Sequence, residues 1–376
     1  MTTRLVLLGG GHAHLAVLAD WCARPSPGWE IHLVTPYRRQ IYSGMLPGWI
    51  AGHYPLDACA IPLDALAARA GVAFHENSGI GLDPTRNELH LADGSRLHFD
   101  HLSIDTGPVA AIDQLPGSEA HALPIRPIER FVAAWPALMD RMLRHRARFD
   151  LVILGAGAAG VELAFAVQHR AMTDGWSHLH IALVGSDPLP LEGAPERLRR
   201  QVATLLAQRG IAWRGECHAV EIQAGRVVFE AAESLNFDAC LAVTGAAAPA
   251  WPRASGLATD EQGFIRVDST LQSVSHPHIF AAGDVAAYRD ARPKSGVYAV
   301  KAGPVLADNL RAICTGGLLR HWTPQKRALY LISTGDHHAL AMWGAWSWSG
   351  AWVWRWKDRI DRRFVRRFGT EVESKT

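Results

Sequence analysis

The residues best placed to do chemistry are glycines. They fall in two stretches, Gly9-Gly10-Gly11-His12-Ala13-His14 near the start and Gly155-Ala156-Gly157-Ala158-Ala159-Gly160 in mid-chain. Each follows a short apolar run, residues 4–8 and 150–154, that predicts a buried parallel strand, and each precedes a helical stretch. Strand, glycine turn and helix is the context in which such spacing means dinucleotide binding. The first glycine makes the tight turn and the second lets the backbone approach a pyrophosphate. That anion then sits on the positive end of the following helix. Two such turns imply two dinucleotides, and the economical pair is FAD with a nicotinamide nucleotide.

The turns differ. The second has all three glycines. The first has His14 where a third glycine would let helix and strand pack closely, which predicts a helix standing further off its strand. A carboxylate is expected on the ribose at the end of the next strand, but Glu30-Ile31-His32-Leu33-Val34 runs into Thr35, a weaker partner. In the second unit the equivalent strand ends Leu183-Val184-Gly185-Ser186, with no acid for a free ribose hydroxyl and no adjacent arginine for a 2′-phosphate. NADH and NADPH both stay open.

Composition sets the frame. The 376 residues suit two domains plus an appendage, and a net charge of +2 gives no global argument for nucleic acid. The apolar run at residues 5–8 is strand-sized and lacks a cleavage region, so a cytoplasmic protein is expected. None of Cys22, Cys59, Cys217, Cys240 and Cys314 is closely spaced with another, which favours reduced thiols over a relay pair. His12 and His14, His276 and His278, and His337 and His338 bring no third ligand by spacing, so no metal site is expected.

The elements that must hold the turns read as an α/β chain. Residues 1–115 and 251–325 form one Rossmann-like domain, the FAD-binding one. Residues 116–250 form a second, for NAD(P), inserted in the first, and residues 326–376 form a small hairpin-and-helix region. Thr106-Gly107 and Thr244-Gly245 end corresponding strands, and residues 36–55 read as a loop.

Ile279-Phe280-Ala281-Ala282-Gly283-Asp284, taken with the two turns and the Thr-Gly endings, resembles the two-dinucleotide flavoproteins of the pyridine nucleotide–disulfide oxidoreductase superfamily. Within it the chain is similar to the type II NADH dehydrogenases. It most resembles the oxidoreductase domain found fused ahead of selenide, water dikinase, on Gly9–His14, Tyr42-Ser43-Gly44-Met45-Leu46-Pro47-Gly48 and Trp356-Lys357-Asp358-Arg359-Ile360-Asp361. The resemblance implies that Gly9, Gly11 and the neighbouring backbone hold the FAD pyrophosphate, with Gly283 and Asp284 at the ribityl end. Gly155, Gly157, Ala158, Gly160 and Gly245 would serve NAD(P)H, and Glu162 would stand near the nicotinamide. The helix beginning near Gly296 would stabilise reduced flavin through its dipole, with Lys301 adding charge. The chain departs from its quinone-reducing relatives in having no glutamine in Tyr298-Ala299-Val300-Lys301-Ala302-Gly303.

Trp322, Trp343, Trp346, Trp348, Trp352, Trp354 and Trp356 crowd the C-terminus. Trp352, Trp356, Ile360, Phe364 and Phe368 recur at i+4, which predicts one apolar helix face among arginines. Such a helix suits an anionic membrane, and equally suits packing on the flavin domain or a homodimer partner. Three readings follow: an FAD enzyme passing electrons from NAD(P)H to a quinone or similar acceptor, a soluble flavin reductase of a small selenium- or sulfur-linked molecule, and a non-catalytic nucleotide sensor.

Overall fold

A computed structural model describes residues 3–25, 28–111, 115–145 and 147–369. The chain opens with β1 (Thr3–Leu8), α1 (His12–Ala23), β2 (Trp29–Thr35), β3 (Ala73–Glu76) and β4 (His101–Ile104). It continues through β5 (Leu123–Pro124), α2 (Ile128–Arg144), β6 (Phe149–Leu154), α3 (Ala158–Asp174), β7 (Leu179–Val184), α4 (Glu196–Gln208), β8 (Ala212–Arg214) and β9 (Ala239–Ala242). Then come β10 (Ile279–Ala281), α5 (Gly296–Thr315), β11 (Leu329–Ser333), β12 (Ala339–Trp343), β13 (Trp346–Gly350) and α6 (Ala351–Phe368).

Two parallel five-stranded sheets result, ordered β10-β4-β1-β2-β3 and β5-β9-β6-β7-β8. The first takes its strands from both sides of the second in the chain, so one Rossmann-like unit is inserted in the other. Their central strands, β1 and β6, are buried on both faces, which is why they read as unbroken apolar runs. The two crossing segments run as a short antiparallel ribbon, Val109 against Ala247 and Ala110 against Ala246. One continuous core lies under both sheets and reaches Phe368, and separate clusters fill the outer face of each.

Three expectations need correction. Residues 36–55 are not a plain loop: they hold the strand Arg39–Ile41 and the helix Leu46–Ile50, which packs on α3. The C-terminal hairpin is a three-stranded antiparallel sheet, because the Gly344 turn lets Trp346–Gly350 fold back on β12. The i+4 series of α6 is not one face. Each i+4 step drifts about 40° around a helix of 3.6 residues per turn, so Trp352 and Phe368 end on nearly opposite sides. Val353, Lys357, Asp361, Val365 and Phe368 face inward, while Trp352, Trp356 and Ile360 are exposed.

Candidate active site

Both glycine turns sit where their parallel sheets end in helix N-termini, the usual ligand position of this architecture. Gly9 and Gly155 take the same left-handed conformation, φ +96° and +107°. A side chain there would run into the facing strand end, Asp105 carbonyl in one case and Val243 carbonyl in the other. The second turn then stays open. A Cβ on Gly157 would meet nothing within 4 Å, and among the described residues no side chain caps α3. The third glycine is required, since a Cβ on Gly160 would collide with the Gly155 carbonyl. The Thr244 hydroxyl, at the end of β9, is buried without a partner. These residues fit a pyrophosphate resting on free amides.

The first turn is filled. Asp105 Oδ2 accepts the N–H groups of Ala13 at 2.8 Å and His14 at 3.0 Å, so a carboxyl from the end of β4 caps α1. His14 is fully buried, with Nδ1 donating to the Gly9 carbonyl at 2.6 Å and Nε2 accepting from the Ser103 hydroxyl at 2.8 Å. The carbonyl can only accept, which sets the neutral tautomer. Burial agrees, holding His14 down at about 4. The imidazole therefore fills the gap a third glycine would have closed and ties the turn to the sheet. Gly303 on α5 lies against Ala13 and Ala16, which lets α5 pack closely on α1. Thr35 is buried at the end of β2, whereas Thr106 and Gly245 are exposed. Gly107 has φ +73° and Gly245 has no such conformation, so the two Thr-Gly endings are not equivalent.

Near this turn, Asp284 lies 3.7 Å from Arg126 and accepts the N–H of Ser295, just ahead of α5. Gly296, the first residue of α5, faces the His12 ring. His12 contacts the rings of Tyr42 and Phe364, and Gln40 Nε2 approaches its Nδ1 at 3.2 Å. Burial, and then Arg126, hold His12 down at about 4. Gln40 Oε1 is buried without a partner. An orphaned polar atom, a glycine backbone and the half-buried N-terminus of α5 fit a flavin dinucleotide here.

Glu162 belongs to a third group. Its Oε1 accepts the N–H of Ser333 on β11 at 2.8 Å, which ties α3 to the C-terminal sheet. Burial pushes Glu162 up to about 7, against the opposing pull of Lys357. Lys357 is itself buried and donates to the Gly44 carbonyl at 2.6 Å and to Asp361 Oδ2 at 2.7 Å. Tyr42 donates to Asp361 Oδ1 at 3.3 Å, and Tyr54 to Asp358 at 2.6 Å. Glu162 of α3 thus meets the Lys357–Asp361 pair of α6 and the Tyr42–Gly44 segment in one seam between stretches distant in sequence.

Lys301 does not join this seam. It is exposed on α5, and the cation acting on Glu162 is Lys357. Asp105 and Lys357 escaped the sequence reading. The signal for Asp105 is an acid directly after the buried strand His101–Ile104 and just before Thr106-Gly107. The signal for Lys357 and Asp361 is an opposite-charge i,i+4 pair, masked by the many exposed arginines around it.

The fold and the two glycine turns define an oxidoreductase built to bring two dinucleotides together. Residues 3–303 match the pyridine nucleotide-disulphide oxidoreductase family, and the chain belongs to it. Its relatives include the demethylphylloquinone reductase NdbB of Synechocystis, 27% identical over 77% of this chain and 73% of that protein. The alternative NAD(P)H-ubiquinone oxidoreductase C1 of Arabidopsis thaliana is 22% identical over 77% of this chain and 63% of that protein. Among solved structures, the sulfide:quinone oxidoreductase of Aquifex aeolicus shares the fold with a TM-score of 0.82 at 17% identity, covering 99% of this chain and 93% of that one. The NDH2 of Plasmodium falciparum in complex with NADH does so with a TM-score of 0.81 at 11% identity, over 98% of both chains.

Proposed function

We propose that the chain binds FAD at the first turn and NAD(P)H at the second, takes hydride from the nicotinamide and passes the electrons to a quinone. Residues 1–115 and 251–325 make the FAD domain, 116–250 the NAD(P) domain, and 326–376 the region that covers the acceptor side. Gly9, Gly10, Gly11 and the His12 backbone hold the FAD pyrophosphate. Ala13 and His14, whose amides Asp105 already binds, keep the turn in shape. Thr35 meets the adenosine ribose, Thr106 and Gly107 close the strand end, and Gly283 and Asp284 meet the ribityl chain. Gly155, Gly157, Ala158, Gly160 and Gly245 hold NAD(P)H. FAD, when bound, supplies the hydride acceptor.

The protein's own part is positioning and charge. The first turn of α5 would offer partial positive charge to the flavin when it is bound. Quinone reduction consumes protons, and Glu162, pushed up to about 7, and the Lys357 ammonium are the seam's groups that can hold them, with Asp361 as the counter-ion of Lys357. The observation that carries this reading is the Glu162–Ser333 hydrogen bond, because it joins the nucleotide helix to the C-terminal cover at one site. The quinone-reducing relatives support the choice of acceptor. An anaerobic absorbance titration with NADH, then NADPH, tests it: rapid bleaching by one nucleotide and recovery on adding a quinone is expected. A flavin that neither nucleotide bleaches would sink the proposal.

Among the described residues no helix is long and apolar enough to cross a membrane. Trp343, Trp346, Trp348, Trp352, Trp356 and Ile360 are nevertheless exposed beside Arg355, Arg359 and Arg363. This face suits the cytoplasmic surface of an anionic membrane, where a lipid-soluble quinone is available. Flotation with anionic vesicles tests that: replacing Trp343, Trp346, Trp352 and Trp356 by Gln should abolish it, and wild-type protein that stays unbound would refute it.

One observation favours a second acceptor. The three stretches on which the chain resembles the domain fused to selenide, water dikinase meet in one contact cluster: His12 on Tyr42, Tyr42 on Asp361 and Lys357 on Gly44. A small selenium- or sulfur-linked acceptor at that cluster predicts faster reoxidation of the reduced protein by such a molecule than by quinone.

A further inference from the structure

Asp105 is the buried acid that the proposed reaction leaves unused. Its Oδ2 takes two amides of α1, and its main-chain carbonyl takes the Gly11 N–H at 3.1 Å. Its Oδ1 lies between two glycines: a Cβ on Gly11 or on Gly283 would land on it. The carboxyl therefore occupies the positive end of α1, inside the space framed by the glycines of the proposed flavin site. A pyrophosphate drawn to the same helix end would meet an ionised Asp105 as a like charge at low dielectric, where repulsion is strong. As a neutral acid, Asp105 would instead bring a donor.

We propose that Asp105 is a cofactor-binding residue that holds the dinucleotide pyrophosphate as a neutral carboxylic acid, Oδ2 keeping the two α1 amides and Oδ1–H donating to a phosphate oxygen. The inference rests on FAD occupying the first turn.

The surroundings favour the neutral form. From α1, His14 spends its Nδ1–H on Gly9 and stays neutral. The turn after β10 contributes Asp284, another acid, and Tyr288, whose hydroxyl donates to the Gly283 carbonyl at 3.3 Å. The nearby cations are engaged elsewhere, Arg126 with Asp284 and Lys294 with the Ala286 carbonyl at 2.7 Å. Burial first, and Asp284 in addition, push Asp105 up to about 7. A bound pyrophosphate moves it further the same way, so binding takes up a proton whenever free Asp105 is ionised.

Affinity for FAD should then fall as pH rises above neutrality, approaching about tenfold per pH unit. The measurement is release of FAD fluorescence on dilution of the purified protein, from about pH 6.5 to about pH 9. Asp105→Asn keeps an acceptor for the amides and a donor for the phosphate. It is expected to bind with the affinity of the low-pH wild type and to show no slope, with thermal melting confirming its fold. A flat wild-type profile, or an Asp105→Asn profile parallel to it, overturns the assignment to Asp105 and leaves the flavin reading standing. Folded wild-type protein that carries no FAD at any pH overturns the flavin reading and this inference with it.

Discussion

Each helix that follows a glycine turn begins beside an acid that burial pushes up to about 7, and the two acids are wired in opposite ways. Asp105 comes from a neighbouring strand and turns inward, spending its carboxyl on the amides of α1. Glu162 stands on α3 itself and turns outward, to Ser333 and towards Lys357, leaving the first amides of α3 without a side-chain cap. The first turn is thus closed by its own protein, with His14 as filler, and suits a resident cofactor. The second is bare backbone, and suits a nucleotide that comes and goes. One motif serves both, because it constrains only the backbone path. What fills the amides is decided by the next residues outward.

The largest way to break this contrast is at the seam that ties α3 to the C-terminal region. Lys357→Met leaves Asp361 and Glu162 buried beside no cation, which costs about 3–5 kcal/mol. A clear fall in melting temperature is expected, and the double change Lys357→Met with Asp361→Leu should recover most of it. An unchanged melt for the single variant would mean the seam is wet.

A paired substitution sharpens it next. Gly11 and Gly157 hold the same motif position with φ −70° and −68°, which an alanine tolerates. Gly11→Ala collides with Asp105, with an overpacking cost of about 1–3 kcal/mol and loss of bound flavin. Gly157→Ala should melt like wild type, within about 0.5 kcal/mol, and act only on NAD(P)H, raising its KM. Equal effects of the two on stability would erase the distinction between a filled and an open turn.

A smaller effect concerns Glu162 and pH. In the folded state burial pushes it up to about 7, above the ordinary carboxylate range, so its stabilising contribution is complete below about 4.5 and is lost as pH rises through about 7. Glu162→Gln should flatten the decline in denaturation midpoint between about pH 4.5 and about pH 7.5. An identical pH profile for the variant would place Glu162 in contact with water. The smallest effect is at Lys301: Lys301→Ala should change stability by less than about 0.5 kcal/mol and leave the rate of flavin bleaching by nucleotide unchanged.

The strands β1 and β6, the helices after them and both turns were legible because their determinants are local. An apolar run of strand length, a glycine that must take positive φ and a helix start lie within a dozen residues. Local spacing said less in two places. At His14 the sequence predicted a helix standing further off its strand, and gave no sign that a neutral imidazole bonded at both ends would fill the space between them. On α6 an i+4 count suggested one face, but accumulated drift divides it between core and solvent.

By itself, then, the sequence determined the two Rossmann-like units, their nesting and the two dinucleotide turns, since backbone geometry and hydrophobic period are written in neighbouring residues. Tertiary structure alone decided which turn is filled, that Lys357 answers Glu162, and that Tyr42, Gly44 and Asp361 share one seam. Those facts depend on the distance between side chains far apart in the chain and on how much water packing removes from between them. Burial and pairing, which set the charge state of each acid, exist only once the segments have closed on one another.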